Sequence, residues 1–263
     1  MALWFGSIAL LLYLALVTLV CLSRHATRLP AMPVLEDSLL AIGLCFHAVA
    51  IFTPLLVVDP LHFGAAETFS ITAWLALAIY LLAHLRLRIE GLQTVILTFA
   101  SLFLLLGLLL PAGPALTYPV GSLARWHFVF ALLSYGLFAN AAALALLMRR
   151  VDRALHRRNP LLRDLPPLLT LEKLLFLCVG GGFVLLSLVL LTGAVFSEGR
   201  SFVWPLNHKA IVSSAAWLVF AALLAGHHLA GWRGRRAANW TLAGFALLLL
   251  GYLGARLLAD LLV

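Results

Sequence analysis

The dominant pattern along this chain is a recurrence of apolar runs near twenty residues, separated by short polar or proline-containing breaks. A run of that length, wound as a helix rising about 1.5 Å per residue, crosses about 30 Å of hydrocarbon. The pattern predicts helices over 2–22, 38–58, 67–85, 93–111, 125–148, 171–195, 209–231 and 239–259. The backbone of a lipid-exposed segment must bond to itself, which a helix does within one segment. The expected fold is therefore all-α: one polytopic bundle of about eight helices, a single integral membrane domain over 1–263.

The breaks add detail. Residues 149–170 read as a solvated connector carrying Arg149-Arg150 and His156-Arg157-Arg158-Asn159-Pro160, with Thr170 as cap of the sixth helix and Glu172 suiting its positive end. Pro54 predicts a kink in helix 2, and Gly180-Gly181-Gly182 predicts close approach of a neighbouring helix. Met1-Ala2-Leu3 enters the first apolar run with no basic lead, so no cleaved signal peptide is expected.

Composition agrees: 64% of residues are hydrophobic and 11% charged, with mean hydropathy +1.09. Average soluble domains are roughly half apolar and a quarter charged. The charge distribution then changes the picture. Fourteen of the eighteen basic residues follow predicted helices 1, 3, 5 and 7: Arg24, Arg28, Arg86, Arg88, Arg149, Arg150, Arg153, Arg157, Arg158, Arg163, Lys173, Arg233, Arg235 and Arg236. Arg125, Arg200, Lys209 and Arg256 lie on the other side. Short loops rich in Lys and Arg stay cytoplasmic, which predicts both termini outside. The net charge of +8 is thus a topology feature first. Anionic lipid is a secondary partner for these loops, and nucleic acid is not expected.

Candidate chemistry rests on nine histidines. Polar groups inside hydrocarbon are costly and tend to mark sites. His127 opens helix 5 within Arg125-Trp126-His127, and His208 ends the loop before helix 7 after Trp204-Pro205-Leu206-Asn207. One reading makes His127 and His208 axial ligands of a haem iron at the outer surface. Trp126, Phe196, Phe202 and Trp204 would then wall the macrocycle, and Arg125, Arg200 and Lys209 would meet its propionates. The other reading is two interfacial histidines in an ordinary aromatic belt. His47, near the middle of helix 2, with His227 or His228 forms a second, deeper candidate site, against the alternative that each bonds a neighbouring helix. His84 reads as an interface residue beside Arg86, and His25, His62 and His156 as solvated. Cys21, Cys45 and Cys178 are not in paired spacing. Hydrolase, ATPase and paired-carboxylate motifs are missing, so a non-enzyme is expected. Asn140, Ser187 and Ser213 are too scattered to line a transport path.

Three stretches carry a family resemblance: Trp126-His127 through Ser134-Tyr135, Leu165 to Lys173 with Leu191-Thr192-Gly193-Ala194-Val195, and Gly231-Trp232-Arg233-Gly234-Arg235-Arg236-Ala237-Ala238. In this order, over about 120–256, they resemble the CcsA/CcmC superfamily of haem-handling cytochrome c assembly membrane proteins, closest to its small YpjD/HemX-like branch. The resemblance implies a bacterial inner-membrane protein that binds haem b at its outer face and works with other cytochrome-assembly or haem-pathway membrane proteins. A scaffold that acts on such a partner without binding haem is the alternative. His127 matches the family's histidine ahead of the Ser-Tyr helix. The loop at 196–208 keeps Trp204, with Asn207 near the Asp position of the family's Trp-rich loop. The family carries its second outer histidine after the last helix; the expectation that His208 substitutes for it from the shortened loop departs from the family's pattern.

Overall fold

The computed structural model describes residues 2–25, 32–57, 64–87, 91–111, 122–156, 167–198 and 208–261. They form eight helices and no strand: α1 (Ala2–His25), α2 (Pro33–Val57), α3 (Ala65–Leu87), α4 (Leu92–Leu109), α5 (Ser122–His156), α6 (Leu168–Glu198), α7 (His208–Ala230) and α8 (Gly234–Leu261). Among the described residues, seven are long and apolar enough to cross a membrane. Large apolar side chains such as Leu11, Leu177 and Leu218 are exposed, as lipid-facing positions must be.

Several boundaries differ from the sequence reading, with α2 and α8 each beginning five residues earlier, at Pro33 and Gly234. The stretch from Arg149 to His156, expected as connector, continues α5 to 35 residues, roughly 52 Å at the helical rise. Arg and Leu are good helix formers, and buried Val151 still packs inward beyond the end of the apolar run. Helix α6 begins at Leu168, so Thr170 is helical and caps nothing. Pro167 precedes the helix instead, its carbonyl accepting from Thr170 N–H and Leu171 N–H. A residue without its own N–H sits without penalty just before a helix. Pro54 lies in the last turn of α2.

The chain falls into two compact units, 1–118 and 119–263. In the first, α1 to α4 pack as neighbours in sequence, with α1 also against α4. Its start of α3 is tied by the Glu67 carboxylate reaching back to Gly64 N–H at 2.7 Å, as in half of a capping box. Trp74 Nε1 donates across to the Leu44 carbonyl at 3.0 Å, joining α3 to α2. Small residues let helices meet: a Cβ on Gly107 would stand 2.9 Å from the Ala66 carbonyl oxygen.

The second unit, α5 to α8, coincides with the stretch that carries the family resemblance. Fully buried alanines Ala141, Ala142, Ala143 and Ala145 bring α5 close to its neighbours. Phe138 of α5 stacks on Phe220 of α7, centroids 4.0 Å apart, and both are fully buried. Gly182 leaves the room for Phe138, since a Cβ there would lie 2.9 Å from its ring; Gly180 meets nothing. Polar side chains staple the apolar core, as they must where water cannot satisfy them. Ser134 donates to the Gly182 carbonyl at 3.1 Å, Tyr135 to the Leu248 carbonyl at 3.4 Å, and Trp217 Nε1 to Ser187 Oγ at 2.9 Å. The Ser-Tyr pair singled out in the sequence thus links α5 to α6 and to α8.

A histidine with a fixed tautomer at one end of the second unit

His127 lies in the second turn of α5, half-buried, and faces the end of α6. Its Nδ1 is 2.9 Å from Thr192 Oγ1. That hydroxyl is itself 2.7 Å from the Leu188 carbonyl and 3.2 Å from the Val189 carbonyl. A hydroxyl has one proton to give, and here it goes to the helix carbonyls one turn back. With the hydroxyl proton on the helix carbonyls the oxygen is left to accept, and the Val189 carbonyl also bonds the ring; this arrangement favours the tautomer with the proton on Nδ1 and the lone pair on Nε2. Gly193 completes the seat: a Cβ there would stand 3.3 Å from His127 Cε1. The Thr192-Gly193 pair thus supplies one residue that orients the ring and one that makes room for it. Metal-ligating histidines are commonly held through the other ring nitrogen in this way.

Among the described residues, the ring of Phe128 meets His127 edge-on at 5.9 Å. Trp126 is exposed and stacks on Phe130 one turn along. Arg125 is exposed at the same end. His208 is the first residue of α7, but its side chain lies outside the described residues, as do those of Phe196 and Lys209 and all of Arg200, Phe202 and Trp204. The expected pairing of His127 with His208 therefore falls outside what the structure describes.

The deeper histidines are placed differently. His47 is fully buried in the first unit, with Nδ1 3.3 Å from the Tyr13 hydroxyl and Nε2 3.0 Å from the Ser70 hydroxyl. It joins α1, α2 and α3, and Gly43 opens the space that Tyr13 occupies. A metal at either ring nitrogen would displace a hydroxyl. His227 belongs to the second unit. Its Nδ1 is 3.0 Å from the Trp232 carbonyl, which only accepts, so Nδ1 is again the protonated nitrogen and Nε2 is open. The ring stacks on Phe176 at 3.6 Å, with His228 edge-on at 5.2 Å. His84 stacks on Tyr80 and faces Asp37 at 3.7 Å, in the first unit. His156 bonds back to Asp152 on its own helix.

The Gly-Trp-Arg-Gly-Arg-Arg run forms the turn from α7 to α8, at the arginine-rich end of the second unit. Gly231 and Gly234 adopt φ of +64° and +56°, the left-handed region that glycine enters freely. Trp232 folds back over α7, its N–H donating to the Gly226 carbonyl at 3.0 Å, and any Cβ on Gly226 would stand 2.4 Å from the indole. The turn is anchored to α6 by Glu172. One carboxylate oxygen accepts from Arg233 Nε at 2.8 Å and the other from Gly234 N–H at 3.3 Å. Glu172 thus serves the start of a neighbouring helix, a partner 61 residues away that spacing did not indicate.

Among the described residues no three His, Cys, Asp or Glu side chains gather as a metal site, and Cys21, Cys45 and Cys178 are free thiols. A haem iron needs only one or two axial imidazoles, which His127 suits through Nε2.

Fold and site together define a multi-pass helical membrane protein with an oriented, half-buried imidazole at one end of its second unit. The cytochrome c assembly protein family matches residues 114–263, and the chain belongs to it. It is 36% identical over 136 residues to the inner membrane protein YpjD of Escherichia coli strain K12, covering 51% of each chain. An uncharacterised 28.8 kDa protein of Azospirillum brasilense is 33% identical over 140 residues, 52% of each chain. The cytochrome c biogenesis protein CcsA of Trichormus variabilis is 37% identical over 92 residues, 35% of this chain and 26% of that one. The match spans about half the length of the first two relatives. No solved structure matches the chain.

Proposed function

We propose that this protein binds haem b through His127 in the inner membrane and assists cytochrome c assembly or haem homeostasis, without catalysing a reaction itself. The observation that carries the reading is the Thr192 hydroxyl on His127 Nδ1, which leaves Nε2 as a free axial donor. Bound haem would supply the iron and the visible chromophore. The protein's own contribution is a ring held in one tautomer, an apolar surround and exposed cations such as Arg125 for the propionates. His208, entering from α7, is the proposed second ligand, with Trp204 and Trp126 as aromatic neighbours. His227, also with an open Nε2, is the proposed donor at the opposite end of the second unit. By the distribution of basic residues, the His127 end is outer and the arginine-rich end cytoplasmic. The membership of the cytochrome c assembly family supports the assignment.

The test is the absorbance spectrum of the full chain purified in detergent from haem-replete cells, beside His127→Ala and His208→Ala. A Soret band lost or shifted in both variants supports the two-ligand site. A band altered only by His127→Ala leaves His127 as ligand and removes His208. A colourless protein that refuses added haemin overturns the reading and leaves the scaffold alternative, to be followed by partner capture.

A further inference from the structure

We propose that the α7–α8 turn is a headgroup site for an anionic glycerophospholipid of the leaflet at the arginine-rich end. This goes beyond the haem reading and does not depend on it. Three observations converge. First, the cations at the turn are not neutralised by the protein. Arg235 and Arg236 are exposed and make no ion pair among the described residues. The nearby carboxylate of Glu172 is spent on Arg233 and Gly234 N–H.

Second, one guanidinium is already placed. Arg236 lies over the Trp232 ring, 4.1 Å from its centroid, and Trp232 is fixed by its seat on Gly226 and its contact with Trp240 at 5.1 Å. Stacking on an aromatic face leaves the in-plane N–H donors of an arginine free, and their fork matches a phosphate. Less freedom is then lost on binding.

Third, the depth is right. The apolar span Ala210–Ala230 ends one residue before the turn, and its last leucine, Leu229, is 88% exposed. An acyl chain along Leu229 brings a lipid phosphate level with Arg235 and Arg236, and tryptophans such as Trp232 and Trp240 favour that interfacial depth. A polyanion from solution would meet the same charges but gain nothing from Leu229. The lipid is therefore the occupant that uses both halves of the surface.

The test is native mass spectrometry of the full chain in detergent, titrated with phosphatidylglycerol or phosphatidylcholine. Each basic group near an anionic surface contributes about 1 kcal/mol, so Arg235→Gln/Arg236→Gln should weaken phosphatidylglycerol retention roughly 30-fold. The pair Arg150→Gln/Arg153→Gln, on the α5 extension, should change it less than about threefold if the site is built at the turn rather than spread over all the cations. Both pairs are exposed, and an unchanged thermal midpoint shows that each variant folds. Equal loss from both pairs, equal retention of phosphatidylcholine, or no loss from the turn variant would each overturn the proposal. So would displacement of the lipid by a short oligonucleotide at equal phosphate concentration, which would mark a general polyanion surface.

Discussion

Replacing Thr192 by valine keeps the volume of the side chain and removes the hydroxyl that faces His127, leaving the Val189 carbonyl in place. In the native protein the hydroxyl oxygen accepts from Nδ1 at 2.9 Å while its own proton goes to the Leu188 carbonyl. The carbonyl keeps its helical N–H partner in the variant, so α6 is little disturbed. His127 loses its side-chain partner and keeps only the Val189 carbonyl to orient it. Loss of such an outer partner typically lowers metal affinity 10- to 100-fold, so the expected weakening of haemin binding is about 1.4–2.7 kcal/mol. Thr192→Ser retains the hydroxyl and should stay within about threefold of the native protein. The assay is haemin titration followed at the Soret band, with thermal midpoints as a check on folding. If valine binds haemin as well as threonine does, the oxygen has no part in holding the ligand. If serine fails as badly as valine, packing of the methyl matters and the tautomer argument is wrong.

The Glu172 anchor gives an asymmetric expectation. Arg233→Ala leaves a buried carboxylate with only Gly234 N–H, whereas Glu172→Ala frees an arginine that is already 64% exposed, so the arginine variant should be the less stable, by about 1–2 kcal/mol in detergent unfolding. Equal losses would mean that the carboxylate is reached by water. The glycine triplet should split: Gly182→Ala forces Phe138 off its stacking partner and costs about 1–3 kcal/mol, while Gly180→Ala meets no atom and is neutral or stabilising by up to about 1 kcal/mol. Thermal midpoints of the two variants decide it, and a destabilised Gly180→Ala refutes the space argument. His47→Leu strands the Tyr13 and Ser70 hydroxyls in the first unit and should cost about 1–3 kcal/mol. A Soret band that survives His47→Leu assigns His47 to structure, and a band that disappears at unchanged stability assigns it to haem.

Apolar run length and the distribution of arginines made the helical bundle legible, because hydrocarbon thickness and backbone satisfaction leave an apolar chain few alternatives. The ends of the helices were less legible. At Arg149–His156 the hydropathy drops while the helix goes on, since helix propensity and hydrophobicity are different properties. His127 was visible as a candidate from its place beside Trp126 and from the family resemblance. Its partner was not: Thr192 is 65 residues away, and only the packing of α5 against α6 brings its hydroxyl to Nδ1. The Thr-Gly pair was in view as a family marker, and nothing in its spacing said that one residue orients an imidazole and the other leaves room for it. The same holds for Glu172, read from sequence as a helix-end charge and found joining α6 to the α7–α8 turn. Local sequence thus determined which segments are helices and which residue types sit near their ends. The tertiary structure alone decided which nitrogen of His127 carries the proton, because a tautomer depends on what faces the ring, and that neighbour comes from a distant part of the chain.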